Sequence, residues 1–232
     1  MVQDTKKALL TAPSGDDRPV VVADLEGTLS AAYTWQGMRD YLEAHGGFAA
    51  YRRFFWRSLP RLLLFRVGIG GWDFRVRWVL GILALLNGRS RAEMAAMGAF
   101  VAERTLWPAR REPVVAELNA HLAAGRRVIV VSGMFEPILA GFLTYLPGAE
   151  AIGTPLRYEN DIFCGEIADT LNRGPEKAAQ LQRLVTDGPL LAAYGDTAAD
   201  IPMLALATDG VAVHPDAPLR KEAAVRGWRI LE

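Results

Sequence analysis

The run Val20-Val21-Val22-Ala23, followed at once by Asp24-Leu25-Glu26-Gly27-Thr28-Leu29, constrains this chain more than any other stretch. Three valines and an alanine in a row read as a strand buried on both faces, as in a parallel sheet. Pro19 bounds it upstream and an acidic loop ends it. In an open parallel sheet, ligands bind just past the carboxyl ends of the strands. Asp24 and Glu26 therefore sit where chemistry would be done. Being two residues apart, one can react while the other handles protons. Gly27 lets the backbone turn sharply, and Thr28 offers a hydroxyl beside a bound anion. A capping turn after a core strand would use the same residues, so the motif needs its context.

That context lies far along the chain. Leu190-Leu191-Ala192-Ala193-Tyr194 is a second apolar run, ending in Gly195-Asp196-Thr197-Ala198-Ala199-Asp200. Between the two lie Val128-Ile129-Val130-Val131, ending in Ser132-Gly133, and a helix opening at Gly174-Pro175-Glu176-Lys177. Each end delivers a polar group that phosphate chemistry needs. With these four segments in order, the chain resembles the haloacid dehalogenase-like superfamily. The pattern of that superfamily is a D-x-D-G-T-L loop, a Ser or Thr after a strand, a Lys, and a G-D-x-x-x-D loop. The resemblance runs from about Pro19 to the C-terminus, with the region between the first two strands matching only in type.

Past Gly125, strands and helices alternate, which predicts a doubly wound, parallel, Rossmann-like α/β sheet. The strands are expected at 128–131, 149–152, 190–194 and 210–213, with helices at 134–145, 175–187, 200–206 and 216–226. A hairpin pairs 156–158 with 163–167, and 229–231 adds an edge strand. From Ser30 to Gly125 the pattern is helical, with helices expected at 33–45, 48–66, 72–87, 90–105 and 110–124. Ser90 with Glu93 is a capping box. This block is too long for a simple crossover and resembles the inserted all-helical cap of many phosphatases in the superfamily. The expected division is a polar tail over 1–18, a core over 19–32 and 108–232, and a cap over 33–107.

The 26 basic and 26 acidic residues balance, so no global field draws the chain to nucleic acid or membrane. The single cysteine, Cys164, fits a reducing compartment and a cytoplasmic location, and reads as a hairpin side chain. The first residues lack the apolar core and cleavage site of a secretory signal. His45, His121 and His214 share no metal spacing.

Between residues 48 and 78, seven arginines (52, 53, 57, 61, 66, 75 and 77) stand against one acid, Asp73, with Tyr51, Phe54, Phe55 and Trp56 interleaved. Three readings compete: solvated arginines around a small helical core, a cap that draws in an anionic or aromatic phosphorylated substrate, and a peripheral contact with anionic lipid. A transmembrane span is not expected, because the apolar runs fall far short of roughly 20 residues.

The resemblance implies a mechanism suited to phosphoryl transfer, which is mostly positioning and charge neutralisation. Asp24 would be the nucleophile that forms an aspartyl phosphate. Mg2+ would be held by the Asp24 and Asp196 carboxylates and the Glu26 carbonyl, with Asp200 as a further ligand or the holder of a bound water. Ser132 and the Gly133 amide would bind phosphate oxygens at a helix N-terminus. Lys177 would neutralise the nucleophile and the transferring group. Glu26 would protonate the leaving oxygen and then activate water. Ser132, Asp196 and Asp200 could instead be plain caps and turns.

The superfamily usually has Asp where this chain has Glu26, which moves the proton donor by about one methylene. Transfer to an alcohol, a phosphotransferase reaction, thereby enters as an alternative. The tail Val211-Ala212-Val213-His214-Pro215-Asp216 resembles subfamily IB, which includes phosphoserine phosphatase. That enzyme carries a Glu nine residues after the nucleophile to bind the substrate amine, and here the position is Tyr33. A phenol does not pair with an ammonium as a carboxylate does, so phosphoserine becomes the runner-up behind another small-molecule phosphate monoester. A catalytically weak domain that binds lipid or protein is the reading from a different class.

Overall fold

A computed structural model describes residues 17–66, 71–172, 174, 177–179, 181 and 190–232. Most of the expected tail, and much of the helix expected over 175–187, lie outside these residues. Strand β1, Val20–Ala23, is buried at every position and lies inside a six-stranded sheet. Its partners are β2, Arg127–Phe135, and β6, Leu190–Gly195. Beyond them lie β3, Glu150–Thr154, on one side, and β7, Asp209–Val213, and β8, Arg229–Leu231, on the other. The order is β3-β2-β1-β6-β7-β8 and all pairings are parallel. The chain winds outward from β1 and then returns to its other side, so the topology reverses at β1 and β6. The valines of β1 split by the two-residue period of a strand. Val21 and Ala23 join one core cluster, and Val20 and Val22 join the other.

Helices α1 (Thr34–Ala44), α2 (Phe48–Arg66), α3 (Gly71–Ala84) and α4 (Arg91–Val101) fill the stretch between β1 and α5 (Glu112–Ala123). At α4 the capping box forms: Glu93 N–H donates to Ser90 Oγ at 3.2 Å, and Ser90 N–H to Glu93 Oε2 at 2.8 Å. The helix then widens into a π-turn over Ala102–Leu106. Trp78 on α3 packs against Trp35 of α1 and Phe54 and Phe55 of α2, with centroids 6.2, 5.1 and 6.1 Å away. Helix α4 meets α6 (Glu136–Leu143) nearly backbone to backbone. A Cβ on Gly98 would lie 1.9 Å from the Pro137 carbonyl oxygen, so only glycine permits this approach.

The expected hairpin forms from β4, Leu156–Glu159, and β5, Ile162–Ile167. Asn160 and Asp161 make its turn in the left-handed region, which suits their side chains. Cys164 lies on β5. No described helix is long and apolar enough to cross a membrane.

One expected boundary is corrected. Helix α6 begins at Glu136, with Phe135 as its N-cap and Pro137 in its first turn, and not at residue 134. Strand β2 continues through Ser132-Gly133-Met134 to Phe135. Ser132 is therefore a strand-end residue and not the cap of the following helix.

Candidate active site

Asp24 leaves β1 with its backbone N–H donating to the Tyr194 carbonyl on β6, at 3.0 Å. The two strand ends are thus tied directly beside the crevice. Gly27 turns the loop at φ +83°, and a Cβ there would lie 1.9 Å from Asp196 Oδ2. Any side chain would push the β1 loop off the β6 loop. Arg111 Nε donates to the Gly27 carbonyl at 2.7 Å and its backbone N–H to the Leu29 carbonyl at 2.8 Å.

Lys177 reaches this end from its helix and joins two loops. Its Nζ donates to Asp24 Oδ1 at 2.7 Å and Asp200 Oδ1 at 2.8 Å. The Lys177 and Asp200 side chains are only 4% and 5% exposed, and Asp24 is 13% exposed. Asp200 Oδ2 reaches back along its own loop, accepting from Asp196 N–H, Thr197 N–H and Thr197 Oγ1. Its carboxylate therefore does not cap the short helix Ile201–Leu204 that follows. Thr28 is fully buried, and its hydroxyl donates to Asp196 Oδ1 at 3.3 Å. Asp24, Asp196 and Asp200 each offer an oxygen within 4.8 Å of the others.

Three carboxylates around one lysine leave an excess of negative charge, and the proton affinities show it. Burial raises Asp24 to about 6 against the pull of Lys177, while Asp200 adds to the rise. Burial, then Asp24 and Asp200, raise Asp196 to about 8. Burial also works against the charge on Lys177, but Asp200 and Asp24 more than offset it and hold its pKa above the usual range. Glu26 accepts from the Thr34 N–H at the start of α1. Burial lifts Glu26 to about 7, opposed by that bond and assisted by Asp24. A carboxyl near 7 is half-protonated at neutral pH, which suits a group that gives and then takes a proton.

Ser132 stands at the neighbouring strand end, since Ala23 of β1 pairs with Val130 of β2. It is 2% exposed. The β2–β3 ladder jumps from Val131–Ile152 to Phe135–Thr154, so Ser132, Gly133 and Met134 bulge out of the pairing. Such bulges re-aim groups next to active sites. Two buried residues hold this one. Thr154 Oγ1 donates to the Gly133 carbonyl at 2.8 Å, and Asn172 Nδ2 to the Ser132 carbonyl at 3.3 Å. Asn172 N–H in turn donates to Thr154 Oγ1 at 3.1 Å.

The structure thus brings Asp24, Thr28, Lys177, Asp196 and Asp200 into direct contact, with Glu26 on the same loop and Ser132 and Gly133 on the adjoining strand end. Tyr33 lies just past them, half-exposed. Sequence reasoning missed Thr154, Asn172, Arg111 and Asp216. Asp216 accepts from Ala198 N–H at 3.1 Å and gives its own N–H to the Asp196 carbonyl at 2.9 Å, pinning the last loop. None of the four belongs to a strand-end motif. Asn172 carried a signal, being five residues before Lys177, and Asp216 closes the tail run Val211–Asp216.

Residues 21–205 match the family model of the haloacid dehalogenase-like hydrolases. A phosphoserine phosphatase of Mycobacterium tuberculosis is 33% identical over 156 residues, which are 64% of this chain and 49% of that protein. The match thus spans about half the length of that curated relative. A protein of unknown function from Bordetella pertussis has a similar fold, with a TM-score of 0.75 and 23% identity over 93% of this chain and 99% of its own. So does a phosphoserine phosphatase described as a phospho-aspartyl intermediate analogue, at 0.56 and 17%, covering 93% of both chains.

Proposed function

The chain belongs to the haloacid dehalogenase-like hydrolase family, and from that premise we propose that it hydrolyses a small-molecule phosphate monoester with Mg2+, through an aspartyl-phosphate intermediate. The observation that carries this reading is the meeting of Asp24, Lys177, Asp196 and Asp200 at the carboxyl ends of β1 and β6. The likeness to a phosphatase described as a phospho-aspartyl analogue supports it.

Lys177 occupies Asp24 Oδ1, which leaves Oδ2 to attack phosphorus. The phosphorus–oxygen bond to the leaving group breaks, and protonated Glu26 gives that oxygen its proton. Glu26, now a carboxylate, takes a proton from water as the water attacks the acyl phosphate. Inorganic phosphate leaves and Asp24 is restored. Ser132 Oγ and the Gly133 N–H bind the phosphate oxygens, with Lys177 beside them. Thr28 orients Asp196. The clustered carboxylates fit a divalent cation, since two of them are costly to ionise without one. Asp24 and Asp196 would hold Mg2+, with Asp200 and the Glu26 carbonyl completing the protein's share. A bound Mg2+ supplies charge neutralisation between carboxylates and phosphate.

Residues 33–107 then act as the cap over this site. The two connections to it run side by side: Ser30 Oγ donates to the Leu106 carbonyl at 2.7 Å and Ala31 N–H to the Ala109 carbonyl at 2.9 Å. Within this cap α4 packs closely on α6, and Gly37 of α1 sits directly against Val101 and Thr105. Cap position and Glu26 are linked, because Thr34 begins α1 and holds that carboxylate. Tyr33 makes phosphoserine the second choice of substrate. The free Cys164 keeps a cytoplasmic setting within the proposal.

The test is turnover of an aryl phosphate and a panel of phosphorylated metabolites, with Mg2+ and with a chelator. Activity should vanish on chelation, and Asp24→Asn should lower kcat by at least about 10^4-fold, the scale on which losing part of a catalytic unit acts. Turnover that survives either change would refute the assignment, and inactivity on the whole panel would favour the binding-module reading.

A further inference from the structure

Helix α2 carries Arg52, Arg53, Arg57, Arg61 and Arg66 and no acidic residue. Successive helical residues lie about 100° apart. Arg52, Leu63, Trp56, Pro60, Arg53, Arg57 and Arg61 therefore follow one another around one side, and all are exposed. Trp56 is 63% and Leu63 57% exposed. The opposite side is committed to the interior: Tyr51 is buried, and Phe54 and Phe55 pack on Trp78. Pro60, inside the helix, has no N–H to give the Trp56 carbonyl.

Single exposed apolar residues are ordinary. This arc differs in its charge. Several other surface arginines find carboxylates, as in Arg89–Glu93, Arg157–Glu166, Arg220–Glu232 and Arg226–Glu222. Among the described residues, Arg52, Arg53, Arg57 and Arg61 have none. Four cations flanking an exposed indole and leucine, on a helix about 28 Å long, match an interfacial helix lying in the plane of a membrane surface. We infer that the outer arc of α2 docks on an anionic lipid surface. The guanidinium groups meet headgroup phosphates, the Trp56 ring sits at the headgroup level, and Leu63 enters the acyl boundary. The exposed rings of α2, Phe48 and Trp56, are eight residues or about 12 Å apart along the helix, a poor platform for successive nucleobases, which favours lipid over single-stranded nucleic acid. The inference does not depend on the phosphatase reading.

The full chain is mixed with vesicles of phosphatidylglycerol or of phosphatidylcholine and sedimented, at low and high salt. Binding should be strong to phosphatidylglycerol, weak to phosphatidylcholine, and reduced by salt. Each basic residue at such a surface multiplies partitioning about five-fold, so replacing Arg52, Arg53, Arg57 and Arg61 together with Gln should lower it by at least about 100-fold. Trp56→Ser should weaken it about ten-fold, the scale of burying one large apolar side chain. Vesicles should shift tryptophan emission to the blue in wild type and much less in Trp56→Phe. Circular dichroism and aryl-phosphate turnover should be unchanged in all these variants, which separates failure here from failure of the phosphatase reading. Equal binding to both vesicle types, full binding by the quadruple variant, or no wild-type binding at low salt would each overturn the inference. So would salt-sensitive capture of single-stranded nucleic acid without vesicle binding.

Discussion

Past and within strand β6 stand two polar clusters, reached through residues two apart, one partly open to solvent and one buried. On the α5 side, the Tyr194 hydroxyl donates to Glu117 at 2.7 Å, and Arg229 donates to both oxygens of that carboxylate at 2.7 Å. Arg126 Nη1 lies 2.6 Å from His121 Nδ1, which places the imidazole proton on Nε2, 3.2 Å from the Tyr194 oxygen. Asp209 stands 3.6 Å from Arg229. Two arginines thus face two carboxylates. Past the end of the same strand, Asp196 joins Asp24 and Asp200 around Lys177, the one cation bonded to these carboxylates among the described residues. The first cluster is electrically complete and the second is short of positive charge. Glu117 is held below the usual carboxylate range, chiefly by the Arg229 hydrogen bonds, whereas Asp24 and Asp196 are pushed up. The two clusters therefore differ both in burial and in charge balance, and shifted proton affinities of the kind found at functional sites go with the buried, unbalanced one.

The widest separation between the clusters should come from removing their central cations. Lys177→Met strands two buried carboxylates, and breaking such a pair costs about 3–5 kcal/mol. Turnover should fall by at least about 10^3-fold, comparable to or larger than losing one preorganised electrostatic donor. Arg229 is 42% exposed, so Arg229→Met should cost only about 1 kcal/mol and leave turnover within about three-fold of wild type. Urea unfolding and aryl-phosphate kinetics on both variants decide it. Equal losses of activity would break the distinction between a working and a structural cluster.

A divalent cation should sharpen the same contrast. Mg2+ at 100 times its Kd should stabilise the native protein by about 2.7 kcal/mol through mass action. The gain should disappear in Asp196→Asn and persist in Glu117→Gln. A gain that survives Asp196→Asn would put the cation elsewhere.

What could be read in the sequence was whatever a strand end carries with it. Asp24, Glu26, Lys177, Asp196 and Asp200 follow local apolar runs or open a helix, and the order of the four motif segments along the chain picks them out together. The start of α6 was misread because Met134 and Phe135 continue into the apolar helix face of Ile138, Leu139 and Phe142. Pro137 and the pairing of Phe135 with Thr154 decide that boundary, and the second is a long-range contact. Thr154 gives no local signal for the same reason, and Asn172 only its closeness to Lys177: their value lies in two carbonyls that reach them only across the folded sheet. Tyr194 read as the last apolar residue of a core strand. Its hydroxyl network draws on α5, β6, β7 and β8, which no local pattern connects.

The smallest effect expected is also the one in which the two clusters oppose each other in sign. Asp24 at about 6 and Asp196 at about 8 lie above ordinary carboxylate values. Without metal, the folded chain therefore binds more protons than the unfolded chain, and the stability linked to these groups is lost as pH rises through 6 to 8. His121 is depressed by burial and then by Arg126, and Glu117 by Arg229. For them the unfolded chain binds more protons, so their contribution is present above the unfolded values and is lost as pH falls, below about 6.5 for the histidine. In chelator, unfolding free energy should thus decline from pH 6 to pH 8, with Glu26 at about 7 adding to the decline, and Asp196→Asn or saturating Mg2+ should reduce it. His121→Gln should leave the decline intact and flatten only the acid side. The change there should be less than about 0.5 kcal/mol, because the imidazole is partly open to solvent and screened. A His121→Gln variant that altered the slope between pH 7 and pH 8, above the range in which His121 itself titrates, would show that the two clusters are one coupled network joined through the backbone of Tyr194.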